Sequence, residues 1–202
     1  MKIKKIINLC KSSGHMYLYN GDVQMLGDDK SLYYLEDCPK FTPATLCRAH
    51  DITEKQADKM LFKFESCPPA AFSVHDVLPG ETLCEPFSIG IAIRAKRYTA
   101  YRTSQGVAFV DEKYLEPFFA DGDDFEVYER TNLGQTYFAV KIGMFLKAIV
   151  LPAANVINEA LLAEMDELCG LCDIAYDNAQ RDNSGVKIEN CERADADGGC
   201  LI

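Results

Sequence analysis

Apolar residues recur at helical spacing at the start of the chain. Ile3, Ile6, Ile7 and Cys10 fall on one face, with Lys2, Lys4, Lys5 and Lys11 on or beside the other. This periodicity predicts an amphipathic helix ended by Ser12-Ser13-Gly14. Shorter apolar runs at 15–19, 23–26 and 32–35 then predict a small β-meander that turns at Asn20-Gly21 and at Gly27-Asp28-Asp29. Asn-Gly between apolar runs is a strong hairpin signal, because both central positions of a primed turn need positive φ.

Thr42-Pro43 reads as an N-cap followed by proline at the first helical position, opening a helix to about residue 50. Thr53 with Gln56 has capping-box spacing and opens a second helix to about residue 60, before a strand at 61–64. Residues 67–81 carry Pro68, Pro69, Pro79 and Gly80 and read as a connector, with enough apolar residues to pack against something. Strand patterns follow at 87–93, 97–103 and 107–110, then a short helix at 111–119 carrying Tyr114, Leu115, Phe118 and Phe119. A second meander is expected at 125–129, 136–140 and 144–150. Asn158 caps the longest helix, whose stripe of Leu161, Leu162, Met165, Leu168, Cys169 and Cys172 is expected to be core. Beyond residue 178 the composition turns polar, so 179–202 read as a mobile tail. The expected fold is α+β: antiparallel hairpins and meanders packed against a few helices, in two closely packed halves, 1–66 and 82–178.

Composition narrows the setting. The 202 residues carry a net charge of −10, which disfavours non-specific binding of the whole molecule to nucleic acid or anionic membrane. No apolar run approaches the ~20 residues of a membrane-spanning helix. The basic, then apolar, N-terminus is interrupted at Asn8, Lys11 and Ser12, and so reads as a helix of the mature protein and not as a signal peptide. Nine irregularly spaced cysteines argue against a disulfide framework and for a reducing, cytoplasmic setting.

Candidate chemistry is sparse. Cys169-Gly170-Leu171-Cys172 is a CxxC, but redox and zinc chemistry want the thiols at a helix N-terminus or in a turn, with a second ligand pair nearby. Here the motif falls late in a helix, and the i, i+3 spacing on an apolar stripe reads as core. His15, His50 and His75 share no ligand spacing. His75-Asp76 could form an acid–base pair, in a pocket between the halves, although neighbours on an extended segment point to opposite faces. Asp195-x-Asp197-Gly198 lacks the rest of a calcium loop, and Asp121-Gly122-Asp123-Asp124 reads as a turn. No phosphate-binding, hydrolase or metalloprotease fingerprint is present, and no cofactor or metal is called for.

Charge is unevenly spread. Between Glu85 and Asp111 there is no carboxylate, while Arg94, Lys96, Arg97 and Arg102 interleave with Tyr98 and Tyr101. Such a strip can hold phosphates while stacking bases; equally, the arginines can pair with acids elsewhere in the fold. Residues 158–178 hold six carboxylates and no base. The stretch Val110-Asp111-Glu112-Lys113-Tyr114-Leu115, with the later Lys147-Ala148-Ile149-Val150-Leu151-Pro152, resembles part of a DNA sliding-clamp domain. That resemblance implies a non-catalytic α+β scaffold in DNA transactions, and the style is similar to small prophage-type proteins. It departs from the family in its acidic helices and short length. The expected function is a binding or accessory protein, acting on nucleic acid or a protein partner and not on a membrane. A small ligand-binding enzyme and an oligomerising interaction module are the alternatives.

Overall fold

The computed structural model describes residues 3–36, 38–93, 95–119 and 124–185. The chain divides into two units, Met1–Ala154 and Asn155–Ile202. The first unit is built on an eight-stranded sheet in the order β4-β1-β2-β3-β11-β10-β9-β5. Its strands are β1 (His15–Asn20), β2 (Gln24–Gly27), β3 (Ser31–Tyr34), β4 (Leu61–Glu65), β5 (Thr82–Leu83), β9 (Glu126–Asn132), β10 (Gln135–Ile142) and β11 (Phe145–Val150). A separate antiparallel sheet holds β6 (Pro86–Ile93), β7 (Lys96–Thr103) and β8 (Gly106–Asp111). The fold is α+β, as the pattern of apolar residues implies.

Strands from 1–66 and from 82–154 meet inside the one large sheet, where β3 pairs with β11 through Tyr33 and Ala148. Among the described residues every pairing is antiparallel except β1 with β4, which run parallel from His15 opposite Leu61 to Tyr19 opposite Glu65. The hairpin from β1 to β2 differs from the primed turn that Asn-Gly predicts. Asn20 pairs with Gln24, so the loop holds three residues, and neither Asn20 nor Gly21 has positive φ. Gly21 instead admits a close neighbour, since a Cβ there would lie 3.1 Å from the Ser66 carbonyl oxygen. The two-residue turn with positive φ at both positions is Leu133-Gly134, between β9 and β10.

Alternation along the strands divides the sheet into two apolar faces. Met16, Leu18, Leu26, Tyr33, Phe138, Val140, Ala148 and Val150 point to the larger core. There they meet Ile6, Ile7 and Cys10 of helix α1 (Ile3–Ser13), and Leu115 and Phe118 around α4 (Glu116–Phe119). Tyr19, Met25, Leu32, Tyr34, Tyr137, Ala139, Leu146 and Ile149 form the smaller core on the other face, joined by Phe72.

Local signals for the short helices hold. Thr42 and Thr53 cap α2 (Pro43–Ala49) and α3 (Glu54–Ala57), each through a capping box. In the second unit Asn158 Oδ1 accepts from the Leu161 amide, opening α5 (Glu159–Gly185). This helix continues through Asn178, where the composition turns polar. Residues 186–202, the rest of the expected tail with Cys191, Cys200 and the Asp195 motif, lie outside the described residues, as do Asp121, Gly122 and Asp123. Among the described residues no helix is long and apolar enough to cross a membrane.

Candidate functional site

Strand β7 alternates, so it divides the expected basic strip between two faces: Lys96, Tyr98 and Arg102 on one, Arg97 and Tyr101 on the other. Lys96 and Arg97 are exposed. Arg97 Nε lies 3.8 Å from Glu112 Oε2, and Glu112 also accepts a hydrogen bond from Thr99 Oγ1 at 3.4 Å. Tyr98 is half-buried, opposite Ile91 on one side and Asp111 on the other. Tyr101 is only 5% exposed and packs against Phe138 at 5.9 Å between ring centroids, so it offers no stacking surface. Burial pushes its phenol up to about 12. The Arg102 guanidinium sits 4.5 Å from the centre of the Phe87 ring. Arg94 lies outside the described residues. A depression of about 390 Å³ beside the strip is lined by Lys96, Arg97 and Lys113, and equally by Asp111, Glu112 and Glu116. Its charge is mixed.

The Asp76 carboxylate is directed to the Leu146 amide and not to the His75 ring. Both residues, His75 and Asp76, belong to a strap, residues 66–81, that crosses the smaller-core face of the sheet. The strap has no regular structure, so its carbonyls need donors from elsewhere. Arg130 on β9 supplies them. Its Nη1 donates to the His75 carbonyl at 2.8 Å and to the Ser73 carbonyl at 3.4 Å, and its Nη2 donates to the Asp76 carbonyl at 2.8 Å. Arg130 Nε and Nη2 also bond Glu81, at 2.7 and 2.6 Å, and Lys141 on β10 bonds the other Glu81 oxygen. The Arg130 side chain is 0% exposed. Burial acts to raise the Glu81 carboxyl, but its bonds to Lys141 and Arg130 hold it below its ordinary range. Asp76 Oδ1 accepts from the Leu146 amide at 2.8 Å, Tyr137 Oη accepts from the Ser73 amide at 2.9 Å, and Tyr34 Oη donates to the Val74 carbonyl. Of the expected pair, the Asp76 carboxylate and the His75 backbone carbonyl hold the strap, and both residues are exposed. Sequence reading missed Arg130 and Lys141. Lys141 had a signal, a cation closing the apolar run Tyr137 to Val140 of β10; Arg130, between Glu129 and Thr131, had none.

Asp28 is likewise engaged with the backbone. Asp28 Oδ1 accepts from the Lys30 and Ser31 amides and from Ser31 Oγ, and so shapes the turn from β2 to β3. Its Oδ2 is buried without a hydrogen bond of ordinary geometry. The Tyr114 phenol, pushed well up by burial and then by the Asp28 carboxylate, stays protonated beside it. Burial and then Asp28 also push the Cys10 thiol far up, and Cys10 Sγ lies 3.1 Å from the Gly27 carbonyl oxygen. A depression of about 400 Å³ is lined mainly by Leu83, Tyr101, Phe119, Phe125 and Val127; Cys84, which also lines it, is pushed up by burial to about 11, far from thiolate chemistry. Among the described residues no group of three or more His, Cys, Asp or Glu side chains is placed to hold a metal.

The second unit reverses an expectation. The apolar stripe of α5 is not core: Leu162 is 54% exposed, Met165 45% and Leu168 60%, and Leu171 on the next row is 57% exposed. Cys169 and Cys172 are free and exposed. The periodicity is real, but helical periodicity reports that a face is apolar and not what covers it. Gly170 serves no close approach, since a Cβ there would meet nothing within 4 Å.

No protein-family model, curated protein or solved structure matches the chain.

Proposed function

We propose that this protein is a non-catalytic interaction module whose docking element is α5. One observation carries the reading: a helix with a row of large apolar side chains, Leu162, Met165 and Leu168, standing in solvent. Fully burying one such side chain is worth about 1.5–3 kcal/mol, so the row forgoes several kcal/mol until something covers it. A contiguous apolar surface with a polar surround marks an interaction site on a soluble protein. The helix satisfies its own backbone, so it can persist while its side chains wait for a partner.

The nucleic-acid reading of the strip at 94–102 draws less support, as does the sliding-clamp likeness that went with it. Arg97 stands beside Glu112, Tyr101 is buried, and the adjoining depression carries as many acids as bases.

The test uses the thiols already on the stripe. In dilute full-length protein, Cys169 and Cys172 are expected to react with a disulfide reagent at rates near those of a free thiol, while Cys10 and Cys84 stay unreactive. Slow labelling of Cys169 and Cys172 at every dilution would show the stripe covered by its own chain, and the reading would fall.

A further inference from the structure

Resting on that reading, we propose that the partner of α5 is a second copy of the same chain, packed antiparallel against it across a two-fold axis. The spacing of the stripe comes first. Leu161, Met165, Leu168, Cys172, Ala175 and Ala179 are separated by alternating steps of four and three residues. That mean period of 3.5 keeps one seam facing a partner helix along its length, as in a coiled coil. All six lie in α5, and from Met165 to Ala179 each is exposed.

Charge placement then selects the partner. Of the six carboxylates between 158 and 178, Glu159, Asp166, Glu167, Asp173 and Asp177 project away from this seam, and Glu164 alone borders it. A basic helix seated on the stripe would find one carboxylate within reach, whereas a copy of α5 brings no row of like charges against another. The remaining border positions are Leu162, Cys169 and Tyr176 on one side and Leu171 and Asn178 on the other, uncharged throughout. A strongly acidic partner interface is thereby avoided although the helix itself is acidic.

Side-chain size selects the direction. The bulky seam residues Leu161, Met165 and Leu168 all precede the small ones, Cys172, Ala175 and Ala179. Antiparallel pairing about residue 170 sets Leu161 against Ala179, Met165 against Ala175 and Leu168 against Cys172, in both halves of the pair. Every layer then holds one large and one small side chain, and the two axes stay evenly spaced, as close packing requires. Parallel pairing would set large on large at one end and small on small at the other. The two-fold arrangement also closes on itself, giving a dimer and not a filament.

The experiment is light scattering and sedimentation of the full chain against concentration. Mass is expected to rise from monomer to dimer and stop there. Leu168→Glu and Cys172→Lys each place two charges in the seam and are expected to weaken association about a hundredfold or more, at roughly tenfold or more for each charge. Helix content of the full chain by far-ultraviolet circular dichroism, which includes the long α5, serves as the folding control for both variants. Mixed together, the two variants put the introduced carboxylate of one chain opposite the introduced ammonium of the other, and dimer is expected to return. If the wild type dimerises and the mixture does not, the antiparallel pairing is overturned. A chain that stays monomeric while Cys169 and Cys172 label fast overturns the second-copy proposal and leaves the docking reading standing. A monomer with both thiols protected removes both.

Discussion

The strap at 66–81 and the helix α5 invert each other. The strap, rich in proline and without regular structure, reads as a connector, yet it is fixed to the sheet by a fully buried guanidinium. The helix, with a continuous apolar stripe, reads as core, yet its stripe is exposed. The difference lies in where each segment's backbone finds its hydrogen bonds. Irregular chain over an apolar face must borrow donors and acceptors, and a buried Arg with five N–H groups is an efficient lender. A helix closes its own bonds, so nothing in its backbone obliges it to pack.

If that contrast is right, the strap is costly to disturb and the helix is not. Arg130→Ala leaves the Glu81 carboxylate short of a partner and three strap carbonyls without their donor. A loss of roughly 3–5 kcal/mol is expected, read from the denaturant midpoint of the first unit. A loss below about 1 kcal/mol, within the range of an exposed pair, would break the contrast. Asp76→Ala removes the acceptor of the Leu146 amide and is expected to cost about 1–3 kcal/mol in the same measurement.

Acid sharpens the same comparison. Glu81 is held below its ordinary range in the folded state. The unfolded chain therefore binds its proton first as pH falls, and the native state loses stability through that window. The contribution is fully present above the ordinary carboxylate range and is gone below the lowered folded value. In urea titrations across acid pH, Glu81→Gln is expected to be less stable near neutrality and to fall less steeply towards acid. An unchanged slope would remove Glu81 from the account. The smallest effect is expected on the helix: Leu171→Ser should leave the midpoint of the first unit within about 0.5 kcal/mol of wild type. A larger change would mean that the α5 side chain supports that unit.

What was legible in the sequence was local. Thr42 with Pro43 and Thr53 with Gln56 identified two helix starts, because a cap is a contact between residues three apart. The strands of the second meander were legible within two or three residues at each end, because alternation is a property of consecutive positions. The parallel pairing of β1 with β4 was not, since neither strand carries a mark of its partner. Asn20-Gly21 misled because its glycine answers to the Ser66 backbone and not to a positive φ. The Arg130–Glu81–Lys141 cluster joins residues far apart in the chain. Lys141 left one trace, a cation after the apolar run of β10, and Arg130, flanked by Glu129 and Thr131, left none. The α5 stripe was legible as a pattern; its exposure is a property of the folded molecule.

The pairing of Tyr33 with Ala148 has a consequence for how the protein is made. As the ribosome delivers the chain, β1, β2 and β3 emerge before β11, and the outer edge of β3 has no strand to bond until β11 follows. Until then that edge is an open row of amides and carbonyls flanked by Leu32, Tyr33 and Tyr34, a surface other nascent chains can pair with. Closing so long a loop late is entropically slow. Expression is therefore expected to be sensitive to temperature and to chaperone supply, and a chain cut short before residue 145 is expected to collect in the insoluble fraction.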